Sequence, residues 1–318
     1  MFSGGVLFGS RALRTAGLWG TAAAFVAPKW VDNTAECDRP EPLRLTDLQS
    51  QTVMVTGATS GIGEACAWRF AEEAKCGKLV IVGRKIKKLE EMKREIEAET
   101  STKVAIATLD VRDKDACMNV TDQLPPEFKD VDVLVNNAGL ALGVATVDKN
   151  SLEHMQTTME TNVIGVLALC RSIVPGMIKR ERGHIINIGS IAGYIPYGNG
   201  SIYNASKFAV RGMTDAMRID LVGTPLRVTH ISPGMVGGTD FSITRFGGYN
   251  TEDAVAKAKK VYDSIVPLSA MDVADNVVYV ATRAPHAQVT ELTMLATNQT
   301  GPKDIARVGA SLGAKNNK

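Results

Sequence analysis

The stretch that decides the fold is Thr52-Val-Met-Val-Thr-Gly57-Ala-Thr-Ser-Gly61-Ile-Gly63, in which a short β-branched segment runs into a glycine-rich turn. A segment rich in Ala and Glu, with helical composition, follows the last glycine. Glycines at such a junction let the chain turn sharply and bring backbone N–H groups, at the start of a helix, against a phosphate. The glycine spacing, placed between a strand and a helix, therefore predicts a nucleotide-binding turn.

Short apolar segments alternate with amphipathic ones along the rest of the chain. The strand-like segments are Thr52–Thr56, Leu79–Val82, Val104–Thr108, Val133–Asn136, His184–Ile188, Arg227–Ile231 and Glu291–Leu295. Strands that are apolar throughout are typical of a parallel sheet with helices on both faces. The alternation predicts an α/β fold, a single doubly wound Rossmann domain over residues 50–300, after an extension and linker at 1–49 and before a tail at 301–318.

The first 31 residues differ from the rest because they carry Arg11, Arg14 and Lys29 and no acidic residue. This composition resembles a mitochondrial presequence; a secretory signal and an extension without an address, with a cytoplasmic protein, are the alternatives. The apolar run from Ala16 to Ala27 is too short to cross a bilayer, so no integral membrane segment is expected.

The overall composition excludes some classes of partner. The 318 residues are 45% apolar and 22% charged with a formal net charge of +2, and no basic run is interleaved with aromatic residues, so a nucleic-acid partner is not expected. The five cysteines show no metal-ligand spacing, which predicts reduced thiols and no metal site.

The end of the second strand indicates which nucleotide binds. An NAD site usually ends this strand with a carboxylate that accepts from the ribose 2′-OH, but here the sequence is Val82-Gly83-Arg84-Lys85. Because a guanidinium attracts a 2′-phosphate, Arg84 predicts NADP; a solvated residue at a helix start is the alternative. Asp110, after the third strand, either meets the adenine or caps the helix that begins near Asp113.

Tyr203-x-x-x-Lys207 places a phenol and an ammonium on one face of a helix. A phenol has a pKa near 10, so the sequence predicts that Lys207 lowers the pKa of Tyr203 for acid–base work. Ser190, at the end of the fifth strand, can hydrogen-bond the oxygen of a substrate as its charge changes. Asn162, a poor helix former in a helical segment, predicts a side-chain amide that holds a water near Lys207.

The glycine turn, Asn137-Ala138-Gly139, Asn162, Ser190, the Tyr203/Lys207 pair and Pro233-Gly234, in this order, resemble the short-chain dehydrogenase/reductase family over about residues 50–300. The resemblance implies a seven-stranded parallel sheet, hydride transfer at the nicotinamide, and a homo-oligomer, either tetramer or dimer. It implies that Tyr203 is the general acid/base, Ser190 positions the substrate, Lys207 also holds the ribose and Asn162 serves a proton relay. The implied cofactor-binding residues are Gly57, Thr59, Ser60, Gly61, Ile62, Gly63, Arg84, Asp110, Val111, Asn137, Ala138, Gly139, Tyr203, Lys207, Pro233, Gly234, Val236 and Thr239. Thr239 stands one residue later than the commonest family spacing.

Three longer strings, at 136–143, 184–190 and 233–242, are similar to the NADP-dependent 3-hydroxy acid dehydrogenase branch, which includes serine and L-allo-threonine dehydrogenases. This implies oxidation of a small 3-hydroxy acid such as serine, allo-threonine or 3-hydroxyisobutyrate, or the reverse reduction. Its carboxylate needs a cation, and Arg245 is predicted to supply it beside Ser190 and Tyr203; a solvated loop charge is the alternative. A reductase of a bulkier steroid, retinoid or acyl carbonyl, and a silent NADP(H)-binding protein, are the competing functions.

Overall fold

The computed structural model describes residues 45–247 and 251–307. The predicted leader therefore lies outside the described residues, and the domain boundary at residue 50 stays a prediction. Residues 45–49 already contact the domain: the Thr46 N–H donates to the Thr282 carbonyl at 2.8 Å, and Leu48 is fully buried.

The strands form one parallel sheet, as the sequence predicts. They are β1 (Thr52–Thr56), β2 (Lys78–Gly83), β3 (Lys103–Thr108), β4 (Val133–Asn136), β5 (His184–Ile188), β6 (Arg227–Pro233) and β7 (Glu291–Met294). Their order across the sheet is β3-β2-β1-β4-β5-β6-β7. All seven predicted strands are confirmed, and β6 runs two residues further than expected, to Pro233.

Helices cover both faces of the sheet. The helices are α1 (Gly61–Glu72), α2 (Ile86–Glu99), α3 (Lys114–Met118), α4 (Leu152–Met159), α5 (Gly165–Lys179), α6 (Ser201–Asp220), α7 (Phe241–Arg245), α8 (Glu252–Val261) and α9 (Ala270–Ala281). Alternate strand residues point to opposite faces, so Val53 and Val55 pack with α1, α2 and α9, whereas Met54 packs with α3, α5 and α6. This two-sided burial explains why the strands are apolar throughout.

The segment Leu152–Lys179 is long and apolar enough, by length and composition alone, to cross a membrane, and half of it is buried within the protein. Its buried residues, among them Leu169, Ile173 and Met177, belong to the core on the α5 face of the sheet. Core packing thus accounts for its apolar character.

Strand order fixes where the site lies. β1 lies inside the sheet and pairs with β2 on one side and β4 on the other, so the chain reverses its direction of winding between β1 and β4. In such a sheet a crevice opens outside the carboxyl ends of the strands at this point. The glycine turn follows β1 at this edge, Arg84 follows β2, and Ser190 follows β5.

Candidate active site

A cleft of about 500 Å³ runs along the carboxyl edge of the sheet, from Arg84 to Lys303. Of the site residues predicted from the sequence, all line this cleft except Gly63 and Asn162. The fold therefore brings together residues that are almost 190 positions apart in the chain.

The glycine turn is held in place from two sides. Gly61 has a φ of +58°, in the left-handed region that favours glycine. A Cβ on Gly63 would lie 2.2 Å from the Gly57 carbonyl oxygen, so no larger residue fits where α1 crosses the turn. The Asn137 Nδ2 donates to the Thr56 carbonyl at 2.9 Å and to that of Gly57 at 3.3 Å. Asn137, one of the implied cofactor-binding residues, thus also ties β4 to the turn, and Gly63 acts through packing.

The end of β2 presents two basic residues to the cleft, Arg84 and Lys85. The Arg84 side chain is 66% exposed and its Nη1 lies 3.8 Å from an Asp110 carboxylate oxygen. Arg112 binds the same carboxylate at 2.6 Å, and its hydrogen bonds are the main cause that lowers the pKa of Asp110. Because the Arg84 side chain is mostly exposed and its contact with Asp110 is long, it can reach an added anion.

The alternative role of Asp110 as a helix cap is wrong. The carboxylate that caps α3 belongs to Asp113, which accepts from the Ala116 N–H at 2.9 Å. Asp110 lies before the N-cap residue Asp113, so its carboxylate does not accept from the first turn of α3. It binds Arg112 instead.

The predicted catalytic side chains lie together at the ends of β5 and α6. Tyr203 and Lys207 stand one turn apart on α6, with the Lys207 Nζ 5.7 Å from the Tyr203 ring centroid. The Tyr203 hydroxyl is hydrogen-bonded to the Ser190 side chain. Lys207 is buried and donates to the Ile188 carbonyl at 2.9 Å, which fixes its ammonium beneath the end of β5.

Burial dominates the protonation of both groups. Desolvation raises the pKa of Tyr203, and the hydrogen bond with Ser190 and the charge of Arg245 only oppose that rise. Desolvation also lowers the pKa of Lys207 to about 8. Desolvation therefore outweighs the groups that lower the pKa of Tyr203, and the effect of Lys207 on this pKa stays a prediction. A neutral Tyr203 beside a charged Lys207 is poised to donate a proton to a carbonyl oxygen.

Asn162 occupies a π-helical turn, Glu160–Ile164, between α4 and α5. Its Oδ1 accepts from the Leu140 N–H at 2.8 Å, and its Nδ2 donates to the Leu140 carbonyl at 2.8 Å and to the Ser206 Oγ at 3.0 Å. Both amide N–H groups are thus used by the protein, and a water held by the amide oxygen near Lys207 stays a prediction. The π turn explains why a poor helix former stands in a helix. A part for Asn162 in a proton relay stays a prediction.

The segment after β6 folds over the glycine turn. The Thr239 methyl lies 3.1 Å from where a Cβ on Gly61 would stand, so the late position of Thr239 still brings it to the turn. The Tyr262 hydroxyl donates to the Val236 carbonyl at 3.0 Å, and the Met235 N–H donates to the Gln299 side chain at 2.9 Å. The segment is therefore held by α8 and by the chain after β7.

Arg245 ends α7 at the substrate side of the cleft. Its Nη1 donates to the Tyr197 hydroxyl at 2.8 Å, and its Cζ lies 6.0 Å from the Tyr203 ring centroid. Its buried Nε has no hydrogen-bond partner, and among residues 45–247 and 251–307 no carboxylate pairs with it. A cation with unused donors beside Tyr203 can bind an anionic group of a substrate.

Several cleft residues escaped the sequence analysis: Lys85, Tyr262, Gln299 and Lys303. Lys85 could have been predicted because it is next to Arg84. Tyr262, Gln299 and Lys303 line the cleft only because the end of α8 and the chain after β7 fold back to it. Tyr197 also lines the cleft, whereas Tyr194 packs against His230 with ring centroids 6.2 Å apart.

Comparison with known proteins agrees with this geometry. Residues 51–248 match the short chain dehydrogenase family. The chain is 42% identical over 247 residues, 78% of its length and 95% of the relative's, to the NADP-dependent 3-hydroxy acid dehydrogenase YdfG of Salmonella typhi. It is 39% identical over 251 residues, 79% of its length and 96% of the relative's, to sulfoacetaldehyde reductase 2 of Chromohalobacter salexigens. The solved closed form of serine dehydrogenase complexed with NADP+ matches with a TM-score of 0.73 and 42% identity, covering 79% of this chain and 96% of that one.

Proposed function

The chain belongs to the short-chain dehydrogenase family, and from this premise we propose that it transfers a hydride between NADP(H) and a small 3-hydroxy acid. It is an NADP-dependent oxidoreductase of this family. The proposed substrates are serine, allo-threonine and 3-hydroxyisobutyrate, or the matching oxo acids in reverse. The observation that carries the proposal is the guanidinium of Arg245 beside the Tyr203 ring, which has no carboxylate partner among the described residues.

In the proposed mechanism, the chain's own groups hold the substrate oxygen and move its proton. NADP, when bound, supplies or accepts the hydride. Ser190 and the Tyr203 hydroxyl, which are hydrogen-bonded to each other, both face the oxygen of the substrate. In reduction Tyr203 donates its proton to that oxygen, and in oxidation it accepts the proton back. Lys207, held by the Ile188 carbonyl, places its charge below the phenol and stabilises the phenolate that forms.

Arg245 is the group that selects an acid in this proposal. Its bond to the Tyr197 hydroxyl at 2.8 Å fixes the guanidinium, whose other terminal N–H groups can take carboxylate oxygens. Arginine suits this role because its planar fork matches a carboxylate. A substrate whose acid group lies here presents its hydroxyl to Tyr203, whose ring is 6.0 Å from the guanidinium carbon.

We expect Arg245→Met to raise the KM for 3-hydroxy acids by about 10- to 100-fold, the loss of a charge-assisted hydrogen bond. Turnover of a neutral secondary alcohol should change little. NADP reduction against a panel of 3-hydroxy acids, amino alcohols, secondary alcohols and steroids measures both. Arg211→Met is the matched control, because Arg211 stacks on Tyr194 at 4.0 Å and does not line the cleft. Equal losses on acids and neutral alcohols, or faster turnover of steroids than of hydroxy acids, would refute the proposal.

The role proposed for Arg84 is to bind the 2′-phosphate that distinguishes NADP from NAD. We expect Arg84→Asp to weaken NADPH binding by about 10- to 100-fold, because one charge-assisted contact is lost and a carboxylate repels the phosphate. NADH binding should change far less. Fluorescence titration of both nucleotides measures this, with Arg94→Asp, an exposed arginine of α2 outside the cleft, as the control. Equal weakening of NADPH and NADH would contradict the assignment.

The oligomeric state and the cellular location are two further proposals. We propose a homo-oligomer, dimer or tetramer, because two helices on the same face of the sheet carry exposed apolar side chains, Leu167 on α5 and Phe208 on α6, each about 40% exposed. A mitochondrial location rests only on the composition of the first 31 residues.

A further inference from the structure

A second cation reaches the substrate side of the cleft from the chain after β7. The Nζ of Lys303 lies 5.3 Å from the ring centroid of Tyr197. The guanidinium carbon of Arg245 approaches the same ring, also at 5.3 Å. The two cations therefore stand no further apart than twice that distance, with Tyr197 as their common neighbour, and both line the cleft.

Lys303 sits on a tight turn that is fixed at its base. Gln299 and Ile305 form an antiparallel bridge across the turn, and the Thr300 N–H donates to the Asp304 carbonyl at 2.9 Å. The buried Gln299 side chain accepts from the Met235 N–H at 2.9 Å and donates to the Gly301 carbonyl at 3.1 Å. The turn is thus bonded through Met235 to the segment after β6, which holds implied cofactor-binding residues from Pro233 to Thr239.

The far end of the turn is tied to the helix that covers the cleft. Arg307 donates to the Val261 carbonyl at 3.1 Å and also to the Asp263 carbonyl, at the end of α8. With both ends bonded, the position of Lys303 is a property of the fold. A lysine on a free tail would spend most of its time away from the cleft, because its loss of conformational entropy would not be offset.

The charged residues around Lys303 leave its ammonium available to bind an anion. Among the described residues, no carboxylate lies within ion-pair distance of Lys303 or of Arg245. Two acidic residues are nearby: Asp304 is the next residue in the chain, and Asp240 lines the cleft. The two cations contribute a positive potential at this end of the cleft, and such a potential attracts anions.

We propose that Lys303 is a specificity-determining residue that binds the acid group of the substrate together with Arg245. The proposal rests on the proposed function, in which Arg245 takes that group. Arg245 offers a planar fork for two oxygens, and Lys303 offers a compact charge from the mouth of the cleft. This contact is equally strong before and during hydride transfer, so it raises the affinity for anionic substrates and leaves the chemical step unchanged.

The test compares Lys303→Met, Lys303→Arg and Lys129→Met, with Arg245→Met measured alongside. Lys129 is exposed just before β4, at the opposite edge of the sheet, and controls for the loss of one positive charge. We expect Lys303→Met to raise the KM for 3-hydroxyisobutyrate about fivefold, with kcat and the KM for a neutral secondary alcohol unchanged. The effect should shrink as salt is added, and Lys303→Arg should restore most of the affinity. NADPH titration should give the wild-type affinity for both Lys303 variants.

The outcomes separate this inference from the proposed function. A hydroxy-acid effect of Lys303→Met no larger than that of Lys129→Met, with Arg245→Met still selective, overturns the role of Lys303 and leaves the proposed function standing. Equal losses on acids and neutral alcohols in Lys303→Met also overturn it, since the turn would then serve only structure. If both Arg245→Met and Lys303→Met lower activity on hydroxy acids and on neutral alcohols equally, or lower neither, the proposed function itself is refuted.

Discussion

Tyr203→Phe is expected to lower kcat by about three orders of magnitude, within the range of general acid–base catalysis, and to leave NADPH binding unchanged. The substitution removes one hydroxyl, the group hydrogen-bonded to Ser190. The ring itself should stay in place, because it packs edge-on against Phe241 with centroids 5.4 Å apart. Loss of activity with intact cofactor affinity would separate proton transfer from binding.

The measurement is steady-state NADP reduction with 3-hydroxyisobutyrate, paired with fluorescence titration of NADPH. Tyr194→Phe is the matched control, since this tyrosine loses only a long bond from the Ser232 hydroxyl at 3.5 Å and does not line the cleft. Retention of a tenth or more of wild-type kcat by Tyr203→Phe would show that another group moves the proton.

Lys207→Met is expected to lower kcat by at least about 10²-fold, because the phenolate of Tyr203 would form without a neighbouring charge in a desolvated site. NADPH binding should weaken as well if Lys207 holds the ribose. Lys149→Met, an exposed lysine outside the cleft, is the control. Unchanged kcat in Lys207→Met would contradict the role proposed for this lysine.

The same variant carries a signature in stability. The pKa of Lys207 is about 8 in the folded protein and 10.5 at its ordinary value, so between these pH values the unfolded chain binds more protons. The wild type should therefore gain stability as the pH rises through this window, by about 2 kcal/mol from pH 7 to pH 9.5. Lys207→Met lacks this gain. Urea unfolding of both proteins at the two pH values gives the difference, and parallel curves would show that Lys207 is not buried as a charge.

The sheet and the residues along its carboxyl edge could be predicted from the sequence because both depend on local patterns. Fully apolar strands and the Gly57–Gly63 turn are visible in single short windows of sequence, and Ser190 and Tyr203 stand where strand and helix place them. The spacing of Tyr203 and Lys207 alone puts both side chains on one face of α6.

What escaped the sequence depends on burial and on distant contacts. The pKa of Tyr203 is raised because desolvation outweighs nearby charges, and sequence does not report burial. Asp110 binds Arg112 and Asn162 binds Leu140 through contacts that no spacing rule specifies. Lys303 reaches Tyr197 only because β7 pairs with β6 and returns the chain to the cleft.

The strand order also places the residues proposed to select the cofactor and those proposed to bind the substrate on opposite sides of β1. Arg84 and Asp110, which are proposed to contact the 2′-phosphate and the adenine, follow β2 and β3, whereas Ser190, Tyr203 and Arg245 follow strands on the other side of β1. Different segments of the chain are therefore expected to determine the preference for the cofactor and the preference for the substrate. Exchange of residues 83–113 for those of an NAD-dependent relative would re-specify the coenzyme without moving the groups that handle the substrate.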